Sequence, residues 1–168
     1  GGNVFVADRF NNRIRKITAT GVVTTLAGSG GGIFADGQGT SATFYNPFGV
    51  SVDGSGNVYV ADFLNHRIRK ITATGVVTTL AGSGYSAFAD GNSTSASFNQ
   101  PTRAVVDGSG NVYVADQHNH RIRKITATGV VTTLAGSGNS TFADGNGTSA
   151  SFRYPTDVAV DGNGVLYV

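Results

Sequence analysis

The 168-residue sequence contains no cysteine, methionine, tryptophan or glutamate, and only three prolines. Without cysteine, the chain can form neither a disulfide framework nor a thiolate metal site. Without glutamate, it lacks the bidentate ligand that completes a calcium-binding loop, so the segment Asp53-Gly-Ser-Gly-Asn57 is interpreted as a hairpin turn. No apolar run approaches the roughly 18 residues of a membrane-spanning helix, and we identify no signal peptide.

The charges are balanced and periodic. Twelve lysines and arginines oppose ten aspartates, for a net charge of +2. The basic residues recur in each Arg-Ile-Arg-Lys run and the aspartates lie in nearby turns, which is not the polybasic patch of a nucleic-acid-binding surface. The Ser, Thr, Asn and Gly content slightly favours an extracytoplasmic or secreted protein but leaves the compartment open. The missing initiating methionine suggests a mature or excised fragment.

What the chain does contain is a 54-residue repeat. Its copies are residues 1–54, 55–108 and 109–162, and residues 163–168 begin a further copy. The run RIRKITATGVVTTLAGSG is identical in all three copies. Near-identical units of this length indicate a radial or stacked array of supersecondary units within one segment, residues 1–168.

Each copy contains four short runs rich in valine, isoleucine, threonine and tyrosine, separated by turn residues. Val58 and Val60 point to one face of their strand, and Tyr59 and Ala61 point to the other, so both faces are apolar. The short connections predict an antiparallel meander that must cover both faces with neighbouring units. The sequence therefore predicts an all-β propeller of four-stranded antiparallel blades, with three blade-equivalents per chain. In the second copy the predicted strands are Gly49–Asp53, Asn57–Asp62, Arg67–Thr72 and Val76–Ala81.

A long connection follows the fourth strand of each copy, as at residues 82–99. It carries two phenylalanines at equivalent positions in every copy. We expect these rings to pin the connection onto the blades as part of the core. They are Phe34 and Phe44, Phe88 and Phe98, and Phe142 and Phe152.

These repeats resemble the NHL-repeat β-propeller family. The segments YVADFLNHRIRKIT at residues 59–72 and YVADQHNHRIRKIT at residues 113–126 follow the family pattern, including its Asn-His pair. The segment FNQPTRAVVDGSGNVYVAD at residues 98–116 resembles the family's innermost-strand region. The likeness covers nearly the whole chain. It implies a binding platform, usually six-bladed, while some relatives bind RNA or protein and a few are metal-dependent lyases.

The resemblance also sets the order of strands within a blade. By that order the chain opens on a second strand, residues 3–8, and its innermost strand at residues 156–161 belongs to an unfinished blade. Three blades cannot close a ring. We therefore expect a homodimer that closes a six-bladed ring from three plus three blades. Residues 164–168 duplicate residues 2–6 and would compete with them, so their deletion should leave assembly intact or improve it.

Differences between the copies fall in the loop after the second strand, in the long connection and at the entry to the innermost strand. In a meander these positions share one end of the blade, whereas the invariant turns share the other. Scaffolds carry function on such loops, although loops also tolerate drift. The candidate binding residues are Arg9, Phe10, Phe63, Leu64, Gln117 and His118, with Arg103 and Asp157 near the channel mouth.

No catalytic or metal-binding constellation stands out. His66 and His120 are equivalent, but the first copy has Asn12 there, so a symmetric ring of histidine ligands is excluded and a hydrogen-bonding role in the turn is favoured. An asymmetric metal site in a ring of two chains stays open, since each unmatched residue would occur twice. Asp62 and Arg67 flank a tight loop and are expected to pair across the strands.

The sequence thus favours a non-enzymatic binding or assembly scaffold, with no cofactor, that presents its variable loops to a protein or other macromolecule. The alternatives are a metal-dependent lyase or hydrolase-like propeller, an RNA-binding propeller, and a repeat-amplified fragment with no ligand of its own.

Overall fold

A computed structural model of the chain describes residues 2–168. Within that range the fold is all-β, with fifteen strands, six single turns of 3-10 helix and no α-helix. No described helix has the length and apolar character needed to cross a membrane. The strands are β1 Val4–Asp8, β2 Arg13–Ile17, β3 Val23–Ala27, β4 Gly37–Gln38, β5 Pro47–Val52, β6 Val58–Asp62, β7 Arg67–Ile71, β8 Val76–Ala81, β9 Gly91–Asn92, β10 Pro101–Val106, β11 Val112–Asp116, β12 Arg121–Ile125, β13 Val130–Ala135, β14 Ala159–Val160 and β15 Leu166–Tyr167. The 3-10 turns are Arg9–Asn11, Gly39–Ser41, Phe63–Asn65, Ser93–Ser95, Gln117–Asn119 and Gly147–Ser149.

The strands form three antiparallel sheets and a terminal hairpin. The first sheet has the order β1-β2-β3, the second β4-β8-β7-β6-β5, the third β9-β13-β12-β11-β10, and β14 pairs with β15. The predicted four-stranded meander is present in the second and third sheets. Each gains a two-residue outer strand from the preceding long connection, which the sequence did not predict: Gly37–Gln38 pairs with β8 and Gly91–Asn92 with β13.

The sheets pack face to face, and the core lies between them. Val58 and Val60 of the second sheet pack in one cluster with residues of the first sheet, including Ile14. Tyr59 and Ala61, on the opposite face, pack in a second cluster with residues of the third sheet. The prediction that both faces of a sheet are apolar and buried is therefore confirmed.

The sheet faces at the two ends of the array are less well covered than the faces between sheets. Val4 and Val6, the counterparts of Val58 and Val60, are exposed on the first sheet. At the other end, the terminal hairpin covers part of the third sheet, where Leu166 packs in a cluster with Tyr113. The innermost strand predicted at residues 156–161 is shorter than expected, because β14 pairs only with the two residues of β15.

The segment at residues 53–57 is a hairpin turn, as predicted. One carboxylate oxygen of Asp53 accepts hydrogen bonds from the amides of Ser55 and Asn57, both at 2.9 Å. Gly56 has a φ of +83°, the left-handed conformation that glycine adopts without strain. The Asp53 oxygens are thus occupied by groups of the turn itself.

Candidate binding face

Loops of two kinds lie at opposite ends of the sheets. The 3-10 turns after β1, β6 and β11 share one end with the entries to β5 and β10, since Pro47 pairs with Asp62 and Pro101 with Asp116. The invariant turns, such as residues 72–75, lie at the other end. We call the first end the variable face: the turns at residues 9–12, 63–66 and 117–120, and the strand entries at residues 46–49, 100–103 and 154–157.

Buried aspartates fix the turns of this face. Asp62 accepts hydrogen bonds from the amide of Tyr45 at 2.8 Å and from the side chain of Asn65 at 2.9 Å. Its ion pair is with Arg69, at 2.7 Å, and both side chains are fully buried. Burial raises the pKa of the Asp62 carboxyl, and the guanidinium of Arg69 opposes that effect. Asp116 holds the third turn in the same way, 2.8 Å from Arg123.

Asp62 and Arg67 are direct cross-strand partners in the register, as predicted, but their side chains form no ion pair. The Arg67 guanidinium donates instead to the carbonyls of Asn65 and Ser83. It also lies 3.9 Å from the centroid of the Phe34 ring, so Arg67 serves to hold the long connection. Arg69 reaches Asp62 instead because it is a diagonal neighbour on the same face of the sheet.

Three of the predicted binding residues meet in one cluster. The guanidinium carbon of Arg9 lies 4.6 Å from the ring centroid of Phe48 and 5.2 Å from those of Phe10 and Phe63. Its Nε donates to the side-chain oxygen of Asn46 at 2.7 Å. Phe48 and Phe63 contact each other with centroids 5.8 Å apart. We call these five residues the Arg9 cluster.

The members of the Arg9 cluster differ in exposure. Phe10, at the edge of the cluster, is 83% exposed, and Phe48 is partly exposed. Phe63 is only 9% exposed, so it is the one of the three predicted contacts whose ring is buried. It forms the base of the cluster. Phe48 was not among the predicted contacts, because its meeting with Arg9 and Phe63 depends on tertiary packing.

Histidines form a second group near the entry to β14. The rings of His118 and His120 lie edge-on to Tyr154, with centroids 5.2 and 4.6 Å away. The Nδ1 atoms of His66 and His120 accept hydrogen bonds from the amides of Gln100 and Tyr154. This confirms the predicted hydrogen-bonding role in the turns. Burial lowers the pKa of both histidines, and neighbouring positive charges add to the effect.

The remaining candidates lie around these groups. The half-buried Arg103 and the exposed Asp157 form an ion pair at 3.3 Å. The amide of Leu64 donates to the carbonyl of Tyr45, and Leu64 and Gln117 are both half-buried in their turns. Across residues 2–168, no group of three histidine or aspartate side chains is placed to hold a metal ion.

Comparison with protein families identifies the repeat. The family model described as NHL repeat matches residues 44–71 and 98–125. The chain is 33% identical over 132 residues to Protein SUPPRESSOR OF QUENCHING 1, chloroplastic, of Arabidopsis thaliana, which covers 72% of this chain and 12% of that protein. It is 36% identical over 132 residues to human NHL repeat-containing protein 2, which covers 71% of this chain and 18% of the relative. The chain thus spans less than a fifth of either relative.

Solved structures share the arrangement of sheets. A structural genomics protein of unknown function from Bacteroides thetaiotaomicron matches 98% of this chain and 40% of its own, with a TM-score of 0.79 and 26% identity. An auxiliary nutrient binding protein from the same organism matches 79% of this chain and 35% of its own, with a TM-score of 0.65 and 25% identity. A streptogramin B lyase, 18% identical with a TM-score of 0.59, shares the fold alone; the match covers 98% of this chain and 43% of that one.

Proposed function

The chain belongs to the NHL-repeat family, and on that premise we propose that it is a non-enzymatic binding module, built as a β-propeller, whose ligand surface is the variable face. The observation that carries the proposal is the Arg9 cluster. There, residues that differ between near-identical repeats assemble a guanidinium among three phenyl rings. Arginine and aromatic side chains are the residue types most enriched at the energetic centres of protein interfaces.

The geometry of the Arg9 cluster favours a particular ligand chemistry. The Nε of Arg9 is engaged with Asn46, but within residues 2–168 its two terminal nitrogens donate no hydrogen bond. Arg9 is half-buried among the rings, and this partial shielding from water strengthens a charge-assisted hydrogen bond to a carboxylate. Phe10, beside it, offers exposed apolar area. The ligand is therefore a protein segment that presents a carboxylate next to an apolar side chain.

The variable face supports this role in a second way. In its second and third turns, a buried aspartate holds the backbone in place by accepting hydrogen bonds from the turn and from the segment that enters the neighbouring strand. A preorganised surface loses less conformational entropy on binding than a mobile one. The relative named as a nutrient binding protein is consistent with binding by this fold.

We also propose that two chains assemble into a closed six-bladed ring. The first sheet exposes Val4 and Val6, although their counterparts in the second and third sheets are fully buried. An open apolar sheet face of this kind favours association. Light scattering at micromolar concentration should give twice the monomer mass of 17.2 kDa, and a monodisperse monomer would refute the assembly.

Binding is tested with a random peptide library displayed on phage and selected on the immobilised protein. We expect enriched peptides to carry an acidic residue beside an apolar one. Their affinities are then measured by fluorescence anisotropy for the wild type, for Phe10→Ser and Arg9→Ala, and for the control Val76→Ser. Val76 is an exposed apolar residue beside the invariant turn at residues 72–75, at the opposite end, and its strand edge is already paired with β4.

The proposal predicts that Phe10→Ser and Arg9→Ala each weaken binding of the selected peptides by about tenfold, which is the effect of roughly 1.4 kcal/mol, and that Val76→Ser has no effect. Peptides that bind all four proteins alike would refute the face assignment. Steeply salt-dependent retention on a polyanion column, lost in Arg9→Ala, would instead support the RNA-binding alternative.

A further inference from the structure

The contact between the first connection and the second sheet is built around one arginine pair. Arg69 lies 2.6 Å from the carboxylate of Asp36 and donates to the carbonyl of Ala35 at 2.8 Å. The ring of Phe34 lies over Arg67 at 3.9 Å and over Arg69 at 4.7 Å. The connection that leaves one sheet is thus clamped onto the next sheet. We call this arrangement a joint.

The second joint has the same contacts 54 residues later. Arg123 lies 2.5 Å from Asp90 and donates to the carbonyl of Ala89 at 2.8 Å. Phe88 lies over Arg121 at 3.9 Å. The joint is therefore a property of the repeat, and any two consecutive units that carry its residues can form it.

The third connection carries one half of a joint without the other. Phe142 is 82% exposed, whereas its counterparts Phe34 and Phe88, which lie over arginines, are 37% and 44% exposed. Asp144, the counterpart of Asp36, has no ion pair within the described residues. The backbone bridge between Ala143 and Ser151 is nevertheless formed, as it is at the equivalent positions of the two complete joints. Phe142 and Asp144 thus form one half of a joint, which we call the acceptor half, and its backbone is already in place in the single chain.

The first sheet carries the complementary half. Arg15 pairs with Asp8 at 3.0 Å, as Arg69 pairs with Asp62, but its side chain is about a third exposed. Arg13 donates to the carbonyl of Ser29, which holds its guanidinium as that of Arg67 is held. No ring among residues 2–168 covers Arg13. Arg13 and Arg15 thus form the other half of a joint, which we call the donor half, and it too is already in place in the single chain.

The backbone edges show the same complementarity. β8 and β13 are each extended by a two-residue strand from the preceding connection, whereas β3 has no such partner in the described part of the chain. Val22 and Val23 at that edge are exposed. Gly145–Asn146, which correspond to the strands β4 and β9, form no strand. The edge of β3 and the segment at residues 145–146 are thus both free to pair within the described part of the chain.

We propose that the two halves meet between copies of this chain. Phe142 of one copy packs on Arg13 of a second copy, and Asp144 pairs with Arg15 of that copy. The segment at residues 145–146 adds an outer strand to β3 of the second copy. This inference rests on the assembly proposed above and names the residues that hold it together. The occupant is a second copy because each half matches the other in charge, ring position and backbone register.

Assembly requires a strand exchange at the terminal hairpin. Val160 pairs with Leu166 in the register in which Val52 pairs with Val58. Leu166 therefore occupies the place that Val4 of the second copy takes when its sheet joins. β15 is released from β14 on association and replaced by β1 of the second copy, so the exchange swaps one strand pairing for another and adds the joint.

Two matched variants test the joint in the full chain. Phe142→Ser removes the exposed ring of the acceptor half. Tyr85→Ser removes a ring that is 78% exposed in the preceding connection but lies outside the contacts of its joint. We expect Phe142→Ser to raise the dimer dissociation constant by on the order of tenfold, since each dimer loses two cation–π contacts. Tyr85→Ser should leave it unchanged. Sedimentation equilibrium measures both.

A charge exchange tests the pairing of specific residues. Asp144→Arg and Arg15→Asp should each weaken self-association, because the joint then opposes like charges. An equimolar mixture should form a heterodimer, since one of its joints has the charges reversed and the other is wild type. Circular dichroism of each variant shows whether it is folded, and the Phe142→Ser comparison is independent of any folding defect in Arg15→Asp.

The outcomes separate the joint from the assembly. A dimer that neither Phe142→Ser nor the charge variants weaken would overturn the joint while the proposed assembly stands. A wild-type chain that stays monomeric would overturn both. Association into trimers that Phe142→Ser disrupts would support the joint and overturn closure by two copies.

Discussion

The carboxylate of Asp62 and the guanidinium of Arg69 lie 2.7 Å apart with both side chains fully buried. Arg69 also reaches Asp36 and two backbone carbonyls of the preceding connection. One guanidinium therefore links the turn of the variable face to the joint between sheets. The proposed binding surface and the packing of the array therefore share one ion pair.

Replacing Asp62 by asparagine should lower the free energy of unfolding by about 3 kcal/mol, because it leaves the buried charge of Arg69 short of a partner. The matched control is Asp157→Asn, which removes the ion pair of this exposed carboxylate with Arg103 and should cost less than about 1 kcal/mol. Urea unfolding followed by circular dichroism compares the two. Equal losses of stability in the two variants would show that the buried Asp62–Arg69 pair stabilises the fold no more than the Arg103–Asp157 pair does.

Phe63 and Phe10 belong to the same cluster but should behave differently. Phe63→Ser removes a buried ring and should cost about 3 kcal/mol of stability, whereas Phe10→Ser should change it by less than about 0.5 kcal/mol. Thermal unfolding measures both. A neutral Phe63→Ser would restore the view that this residue is a surface contact.

Val60 and Val6 occupy equivalent positions on sheets with different neighbours. Val60→Asp places a charge between two packed sheets and should cost about 3 kcal/mol or more. Val6→Asp lies on the open face of the first sheet, so the monomer should stay folded while association is lost. Light scattering and circular dichroism together decide this. A Val6→Asp chain that still dimerises would contradict the use of that face.

Alkaline conditions should destabilise the fold through Tyr59. Burial and the nearby Asp53 carboxylate raise the pKa of Tyr59 from 10.0 to about 12. The unfolded chain therefore loses this proton at a lower pH than the folded chain, and the free energy of unfolding falls as pH rises from about 10 to 12. Burial also raises the pKa of Tyr113. In the double variant Tyr59→Phe, Tyr113→Phe, the free energy of unfolding measured with urea should fall less steeply with pH than in the wild type. The same pH dependence in both proteins would contradict the role assigned to these tyrosines.

The repeat period and the apolar faces predicted most of the fold, because strand alternation at residues such as Val58 and Tyr59 is a local signal. The strands at Gly37–Gln38 and Gly91–Asn92 were missed, because a two-residue strand has no hydrophobic periodicity. The ion-pair partner of Asp62, Arg69, was also missed, since direct and diagonal neighbours on a sheet cannot be told apart by spacing.

The candidate site was predicted in part for a related reason. Variation between copies located the face and named Arg9, Phe10 and Phe63. It could not show that Phe63 is buried, because exposure depends on which turn of the next sheet lies above it. Likewise Phe34 and Phe142 are equivalent in sequence, but only Phe34 meets its arginine within the described chain.

The most direct test of the account is a nuclear magnetic resonance titration of the isotope-labelled protein with a peptide selected from the library. The account predicts that amide shifts concentrate at residues 9–12, 46–49 and 63–66, which contain the Arg9 cluster. The invariant turns at residues 18–22 and 72–76 should stay unchanged. Shifts confined to those invariant turns would contradict the claim that the variable face binds the ligand.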